Sequence, residues 1–456
     1  MVEAWVGTGL SLLEGMSTDT LFPIEPSSRP GPDPRQPDSS EPPRLRTANR
    51  EQVELRACDL ESLLPTDHPA RAVWAVVERL DLRRFDERIQ ARGSRPGRAA
   101  CDPRIALTLW LYATSQDVGS ARELARLCDA HDAYRWICGG VSVNHHSLAD
   151  FRVQHGREID ELMTQLLAVL THQGLLTLER VSHDGMRVRA GAGAASFRRA
   201  PSLERCLEAA RAQVTRVKRE AEAPDTTRTA RQRAAQERAA RERTQRIEHA
   251  LAELPKVQAV KRTVEAKEEA RASTTDPEAR VMKMADGGYR PAYNVQLATD
   301  TESRVIVGVG LTNRGSDQGQ LEPMLDDIER RTGRCPDEYL VDGGFTRLES
   351  IEHAAARGVT VVAPVLSPRK QGVDPYQPKV DDSAAVAAWR QRMATDEAKQ
   401  TYKLRAATAE TVNADLRCKR ALDHIPVRGT DKALTLVLWS ALTYNVLRAV
   451  ALGMLA

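Results

Sequence analysis

Between residues 60 and 178, apolar residues recur at the spacing of amphipathic helices. HPARAVWAVVERL and RIALTLWLYATS are two such stretches, and Asp102 followed by Pro103 is a strong signal for the start of the second helix. The pattern predicts an all-α domain over residues 51–178. Its short helices, joined by tight turns and carrying several arginines, fit a helix-turn-helix-like DNA-binding module or a plain helical bundle.

Beyond residue 178 the period changes to the alternation that is typical of strands. The first strand reads ERVSHDGMRVRA, and AYNVQLATD with SRVIVGVGLT predicts a hairpin. DEYLVDGG and VTVVAPVL follow as strands separated by helical stretches, and a last helical stretch runs from about 383 to 417. This order predicts an α/β domain over residues 179–456. Its mixed five-stranded sheet would join an antiparallel hairpin to parallel strands.

Three segments fall outside this pattern. Residues 200–275 are rich in Ala, Arg, Glu and Gln, and they predict a charged helical insertion whose charges form either a solvated face or a DNA contact. Residues 1–50 are rich in Pro, Ser and charge, which is typical of disorder. The C-terminal run ALTLVLWSALTYNVLRAVALGMLA is interrupted by polar residues, so we expect a buried helix rather than a membrane span.

Composition narrows the class of protein only slightly. The charge of the 456 residues is nearly balanced, net +3, which excludes a polybasic tail but leaves DNA binding open. Aromatic residues make up 4% of the chain, which argues against a stacking platform for single strands. The seven cysteines are scattered and contain no CxxC pair, so we expect reduced thiols and no zinc finger.

Acidic residues on the predicted strands and on the last helical stretch are the candidates for chemistry. Asp184 lies in the first strand and Asp342 at the carboxyl end of a later one, where ligands bind in α/β sheets. Glu410, taken alone, fits a solvated surface position. Three converging carboxylates would repel one another unless a cation such as Mg²⁺ or Mn²⁺ joined them. Of the other acids, Asp300 is expected in the hairpin turn and Asp317 at a helix N-terminus, with a role in the site as the alternative for Asp317.

From about residue 50, these motifs together resemble the DDE-type transposases of bacterial insertion sequences. DLESLLPTDHPARAVWAVVERLDL is similar to the N-terminal helical domain of that family, and HDGMRVRA is similar to its first-aspartate strand. PAYNVQLATD resembles its YN-x-Q hairpin, and EYLVDGGF its second-aspartate strand. YKLRAATAETVNADLR resembles the signature in which a Tyr and an Arg precede the catalytic Glu and a basic residue follows.

The resemblance implies a fold and a set of site residues. The fold is a ribonuclease-H-like catalytic core, and the cofactor is a pair of Mg²⁺ or Mn²⁺ ions. Two mild departures from the family pattern are Phe345, where Tyr is common, and Arg417, where Lys is common. The resemblance implies that the catalytic and metal-binding triad is Asp184, Asp342 and Glu410. It also implies that three further residues assist Glu410 by contacting DNA phosphate: Tyr402, Arg405 and Arg417.

The activity that the resemblance implies is that of a transposase. Such a protein binds the element ends and the target as double-stranded DNA, cleaves by metal-dependent hydrolysis and transfers the strand. A homodimer is expected, because two ends must be held together, and the location is expected to be cytoplasmic, at the bacterial nucleoid. No membrane partner is expected. No nucleotide cofactor is expected either, since GAGAA at 191–195 lacks the GK[ST] of a P-loop. The alternatives are a catalytically idle DNA-binding relic and a metal-dependent nuclease.

Overall fold

The fold of this chain is taken from a computed structural model that describes residues 51, 59–93, 99–222, 229–366, 372 and 374–455. The predicted disordered extension, residues 1–50, lies outside the described residues. The chain divides into two compact units, Met1–Ala57 and Cys58–Ala456, and nearly all described residues belong to the second. The predicted domain boundary between residues 178 and 179 falls inside this second unit and stays a prediction.

The first part of the second unit is helical, as the apolar spacing predicts. Asp102 caps the third helix, since its side chain accepts a hydrogen bond from the backbone N–H of Arg104 and Pro103 occupies the first helical position. The described helices of this part are α1 (Pro69–Glu78), α2 (Arg83–Glu87), α3 (Pro103–Ser115), α4 (Ala121–Ala130), α5 (Asp132–Cys138), α6 (His145–Gln154) and α7 (Gly156–His172).

The remainder of the unit combines strands with helices. The described strands are β1 (Arg180–Ala190), β2 (Phe197–Arg198), β3 (Ala272–Ser273), β4 (Arg280–Lys283), β5 (Tyr289–Asp300), β6 (Ile306–Thr312), β7 (Glu338–Leu340), β8 (Thr360–Val362) and β9 (His424–Ile425). The described helices are α8 (Ala200–Glu222), α9 (Ala230–Ala259), α10 (Val264–Glu268), α11 (Leu321–Thr332), α12 (Leu348–Ala356), α13 (Ala384–Ala394), α14 (Asp396–Arg405), α15 (Thr411–Lys419) and α16 (Thr430–Ala451).

A mixed sheet with β1 at its centre organises this part. β1 pairs with β5 in antiparallel orientation and with β7 in parallel orientation, while β6 continues the antiparallel side and β8 the parallel side. The mixed sheet is therefore as predicted and is consistent with a ribonuclease-H-like core. The predicted number of five strands is too low, because the short strands β4 and β9 also pair with β5 and β1 and bring the sheet to seven strands.

The segment between β1 and β4 contains two long helices. α8 and α9 pack on each other, and a capping box at Thr229 starts α9. At the base of these helices β2 pairs with β3, and a small hydrophobic cluster separate from the main core closes the base. Glu253 of α9 connects this segment to the central sheet, because its carboxylate pairs with Arg280 of β4 (2.6 Å).

One hydrophobic core joins the N-terminal helices to the sheet, and α16 lies at its centre. α16 packs against α7, α3 and β6, and Asn445 accepts from the backbone N–H of Ile306 (2.9 Å) and donates to its carbonyl (2.7 Å). By length and composition alone, α16 could cross a membrane, but 72% of its apolar window is buried inside the structure. This burial agrees with the predicted core helix.

Candidate active site

Asp184 lies in β1, with its side chain on the face of the sheet that α14 and α15 cover. Ser182, two residues earlier and on the same face, donates a hydrogen bond to the carbonyl of Arg405 (3.5 Å). The parallel register pairs Ser182 with Leu340 of β7. Continued by two residues, this register brings Asp342 beside Asp184, so neighbouring strands supply the two aspartates.

Asp342 belongs to a tight turn that follows β7. Its Oδ1 accepts a hydrogen bond from the backbone N–H of Gly344 (2.7 Å). Phe345 is fully buried and anchors this turn, because its ring lies 4.5 Å from the ring of His183, the neighbour of Asp184 on β1. The aromatic residue of the DGGF motif therefore ties the second-aspartate turn to the first-aspartate strand.

Glu410 reaches the site through an irregular helix. The predicted helical stretch from about 383 to 417 is confirmed, and the structure divides it: α13 ends at Ala394, α14 ends at Arg405, and a π-helical turn, Ala406–Glu410, leads into α15. Hydrogen bonds in a π-helical turn span five residues rather than four. Arg405 and Glu410 therefore share one face, with Arg405 Nη2 3.8 Å from Glu410 Oε1.

Two side chains of the same helical segment contact Asp184. Arg405 Nη1 lies 3.5 Å from Asp184 Oδ1, and Asn413 donates a hydrogen bond to Oδ2 (3.1 Å). Burial raises the pKa of Asp184 to about 6, the Arg405 guanidinium opposes this shift, and the nearby Asp342 adds to it. The role of Asn413 was missed from the sequence, although its position three residues after Glu410 places it on the same helix face.

A cleft of about 650 Å³ opens over Asp184 and Glu410. Four arginines supply its positive charge, and two rim acids, Asp286 and Asp423, pair with Arg290 and Arg189. Two of the predicted assisting residues lie beside it: Tyr402 has its ring 5.9 Å from the Arg405 guanidinium, while Arg417 lines the cleft directly. The four arginines are Arg187, Arg189, Arg290 and Arg417.

The chemistry of these side chains fits a hard divalent cation. Carboxylate oxygens are the ligands that Mg²⁺ and Mn²⁺ prefer, and the pKa of Asp184 is raised chiefly because burial disfavours its ionised form, with a smaller contribution from Asp342. In the described part of the chain, however, no group of three or more His, Cys, Asp or Glu side chains lies close enough to hold a metal ion. The Arg405 guanidinium lies near both Asp184 and Glu410 and provides positive charge there.

Asp300 and Asp317 are the two acids that we expected outside the triad, and only the first lies where we expected it. Asp300 lies in the hairpin turn as predicted, where its Oδ2 accepts from the backbone N–H of Ser303 (2.8 Å). The expected position of Asp317 at a helix N-terminus is wrong, because α11 begins at Leu321 with Gln320 as its N-cap. The Asp317 carboxylate instead accepts hydrogen bonds from side chains of β5.

Comparison with known families assigns the chain to a class. A family model described as "Transposase DDE domain" matches residues 262–446, and one described as "Transposase domain (DUF772)" matches residues 58–154. The first match includes Asp342, Glu410 and Arg417, whereas Asp184 lies outside both. No curated protein and no solved structure matches the chain. The two matches cover α1 to α6 and every described strand of the large sheet except β1. The chain belongs to the DDE transposases of insertion sequences.

Proposed function

We propose that this transposase binds the ends of its insertion sequence, cleaves the DNA there by metal-dependent hydrolysis and joins the freed 3′ end to target DNA. The observation that carries the proposal is that Asp184 and Glu410, far apart in the chain, line the same cleft, while Asp342 follows the strand next to that of Asp184. The register of β1 with β7, continued by two residues, brings Asp342 beside Asp184.

In this proposal Asp184, Asp342 and Glu410 are the ligands for two divalent ions, Mg²⁺ or Mn²⁺. When bound, the ions would supply the charge that activates an attacking oxygen and stabilises a leaving oxygen in phosphodiester displacement. The chain itself orients these ligands: Asn413 holds one oxygen of Asp184, and the π-helical turn directs Glu410 toward it. Arg405 balances the charge of the carboxylates before metal and DNA arrive.

Double-stranded DNA is the proposed partner. The cleft arginines offer bidentate donors to phosphate, and the partner acids of Arg189 and Arg290 are exposed, so a DNA phosphate can replace them. Tyr402, Arg405 and Arg417 are proposed to contact DNA next to the scissile phosphate. Residues 51–178 are proposed to bind the element end, and a homodimer in the bacterial cytoplasm, at the nucleoid, would hold two ends together.

The test uses the full-length protein, Mg²⁺ or Mn²⁺, and labelled DNA that carries the element's own terminus. The wild type is expected to nick at the terminus and, with target DNA present, to join the 3′ end. The Asp184→Asn, Asp342→Asn and Glu410→Gln variants are expected to lose nicking and keep DNA affinity. Cleavage by Asp342→Asn at the wild-type rate would contradict the assignment of the triad.

Two other results would favour the alternative functions. Binding to the terminus without cleavage, equal in wild type and Glu410→Gln, would indicate a DNA-binding relic. Metal-dependent cleavage that ignores the terminus and never joins a 3′ end to target DNA would indicate a nuclease.

A further inference from the structure

A fourth carboxylate, Asp317, lies directly against the strand that carries Asp184. Its Oδ1 accepts hydrogen bonds from Asn294 Nδ2 (2.7 Å) and Gln296 Nε2 (2.8 Å), and its Oδ2 lies 3.3 Å from Arg187 Nη2. The Asp317 side chain is only 12% exposed. These three donors converge on a carboxylate that is shielded from solvent, and they stabilise the negative charge of Asp317.

The strand makes room for this carboxylate with a glycine. A Cβ at Gly185 would lie 2.1 Å from Asp317 Oδ1 and 2.7 Å from Gln296 Nε2, distances that no side chain can accept without displacing both groups. Gly185 follows Asp184 immediately, and successive residues of a strand point to opposite faces. Asp317 therefore lies behind the strand at the position where Asp184 projects toward Glu410.

The same network extends to the turn that carries Asp342. Gln296 donates its amide N–H to Asp317, so its oxygen faces His183 Nε2 at a distance of 2.8 Å. The buried His183 ring in turn packs against Phe345 of the DGGF turn. Hydrogen bonds and one aromatic contact thus connect Asp317 to both strands that present the aspartates.

We infer that Asp317 is a positioning residue: with Gly185, Asn294 and Gln296 it fixes the backbone of β1, and through it the carboxylate of Asp184, in the geometry that metal binding and cleavage need. This inference rests on the proposed function. Asp317 acts through the strand and does not itself contact the reacting phosphate. Loss of residues that orient a ligand in this way lowers metal affinity or activity by about 10–100-fold in other metal sites.

The first experiment compares Asp317→Asn, which keeps the size of the side chain, with the wild type. Asp184→Asn is the reference for loss of a ligand. Asp276→Asn is the matched control, because Asp276 is another buried carboxylate, held by the Tyr293 hydroxyl, and it does not line the cleft over Asp184 and Glu410. Measurements are Mn²⁺ affinity of the DNA-free protein by electron paramagnetic resonance, affinity for the terminus, kcat and KM for nicking, and Tm.

We expect Asp317→Asn to lower Mn²⁺ affinity and kcat by about 10–100-fold while KM for DNA stays within about twofold. Asp276→Asn should lower Tm and leave Mn²⁺ affinity and kcat unchanged at temperatures where it is folded. Gly185→Ala should reproduce the Asp317→Asn profile, since its Cβ would displace the carboxylate. Adding Gly185→Ala to Asp317→Ala should cost less than adding it to the wild type, because the clash with the carboxylate is then removed and only the amide end of Gln296 must move.

Wild-type Mn²⁺ affinity and kcat in Asp317→Asn would overturn the inference. So would a profile in which Mn²⁺ affinity, DNA affinity and kcat of Asp317→Asn all fall in step with its Tm, because that profile marks a role in folding only. If Asp184→Asn itself leaves Mn²⁺ affinity and nicking intact, the proposed function fails and this inference fails with it. A defect in Asp184→Asn with none in Asp317→Asn rejects the inference alone.

Discussion

Arg405 Nη2 lies 3.8 Å from Glu410 Oε1 although the two residues are five positions apart in the chain. In an α-helix, residues at this separation lie on different faces, because 3.6 residues complete one turn. The π-helical turn Ala406–Glu410 absorbs the extra residue, so the face that carries Tyr402 and Arg405 continues through Glu410. The local irregularity of the helix is therefore what directs the predicted catalytic glutamate toward Asp184.

Adding or removing one residue in this turn should test whether the π-helical turn places Glu410 for activity. Insertion of one Ala after Ala407, an exposed position, exceeds what the turn absorbs and rotates Glu410 by about 100° relative to Arg405. We expect nicking to fall by at least about 100-fold, since small misplacements of reacting groups have that effect. The measurement is kcat for nicking of terminus DNA.

Deletion of Ala407 is the matched control for that insertion. It lets the turn close as an ordinary α-helix in which Glu410 still faces Arg405, so the larger part of the activity should remain. DNA affinity should be the same in both variants. Wild-type nicking by the insertion variant would mean that the π-helical turn has no part in placing Glu410.

The raised pKa of Asp184 predicts a pH-dependent stability of the metal-free protein. Burial raises this pKa from 3.8 to about 6, so between these values the folded protein holds a proton that the unfolded chain releases. Stability from this group is therefore full below about pH 4 and falls as pH rises to about 6, by at most about 3 kcal/mol. Asp184→Asn removes that loss.

In protein treated with a chelator, urea unfolding should give equal free energies for wild type and Asp184→Asn near pH 4. Asp184→Asn should be the more stable by up to about 3 kcal/mol at pH 8. Asp150→Asn, at an exposed position of α6, is the control and should show no such pH-dependent difference. An Asp184→Asn variant that is no more stable than wild type at pH 8 would show that the ionised Asp184 carboxylate does not destabilise the folded protein.

The tyrosine of the YN-x-Q motif is predicted to act on stability rather than on chemistry. Tyr293 is fully buried, and its hydroxyl donates to both oxygens of the buried Asp276 (3.0 and 2.9 Å). Tyr293→Phe leaves that carboxylate short of a donor, which should lower the free energy of unfolding by about 1–3 kcal/mol in urea titrations. Tyr289→Phe, at a residue 68% exposed, should change it by less than about 0.5 kcal/mol. Equal effects of the two changes would argue against the buried pair.

The elements that were predicted correctly are those with local signals. The cap and proline at Asp102 and Pro103 start α3, and the alternating stretches that end at Asp300 and begin near Ile306 form the β5–β6 hairpin. β4 and β9 were missed because they contain only a few residues and exist through pairing with longer strands. Within the predicted helical stretch, the break between α13 and α14 has a local signal as well, since the side chain of Thr395 caps α14.

The residues of the candidate site also divide into those that have a local sequence signal and those that do not. The triad could be suggested from a resemblance because each acid lies in a recognisable stretch of sequence. The role of Asn413 could not, since it needs the helix face that follows the π-helical turn. A site role for Asp317 was only the alternative to a helix N-terminus, because its place depends on the register of β1 with β5. Gly185 belongs to the HDGMRVRA stretch, but only the packed structure reveals that a Cβ there would meet Asp317.

Arg417 gives the prediction that bears most directly on DNA. Its Nη2 donates to the carbonyl of Arg187 in β1 (3.2 Å), and its side chain lines the cleft beside Glu410. If it contacts phosphate, Arg417→Ala should weaken DNA binding for every sequence tested. It should also make the slope of log affinity against log salt shallower by about one. Fluorescence anisotropy over a series of salt concentrations measures both quantities.

The matched control is Arg417→Lys, which keeps the charge and gives up the planar fork. It should retain the wild-type salt slope and lose part of the nicking rate, because the hydrogen bond to the Arg187 carbonyl depends on the length of the arginine. An unchanged salt slope in Arg417→Ala, with nicking lost, would instead assign Arg417 to holding α15 against β1. In that case the DNA charge must be neutralised by the other arginines of the cleft.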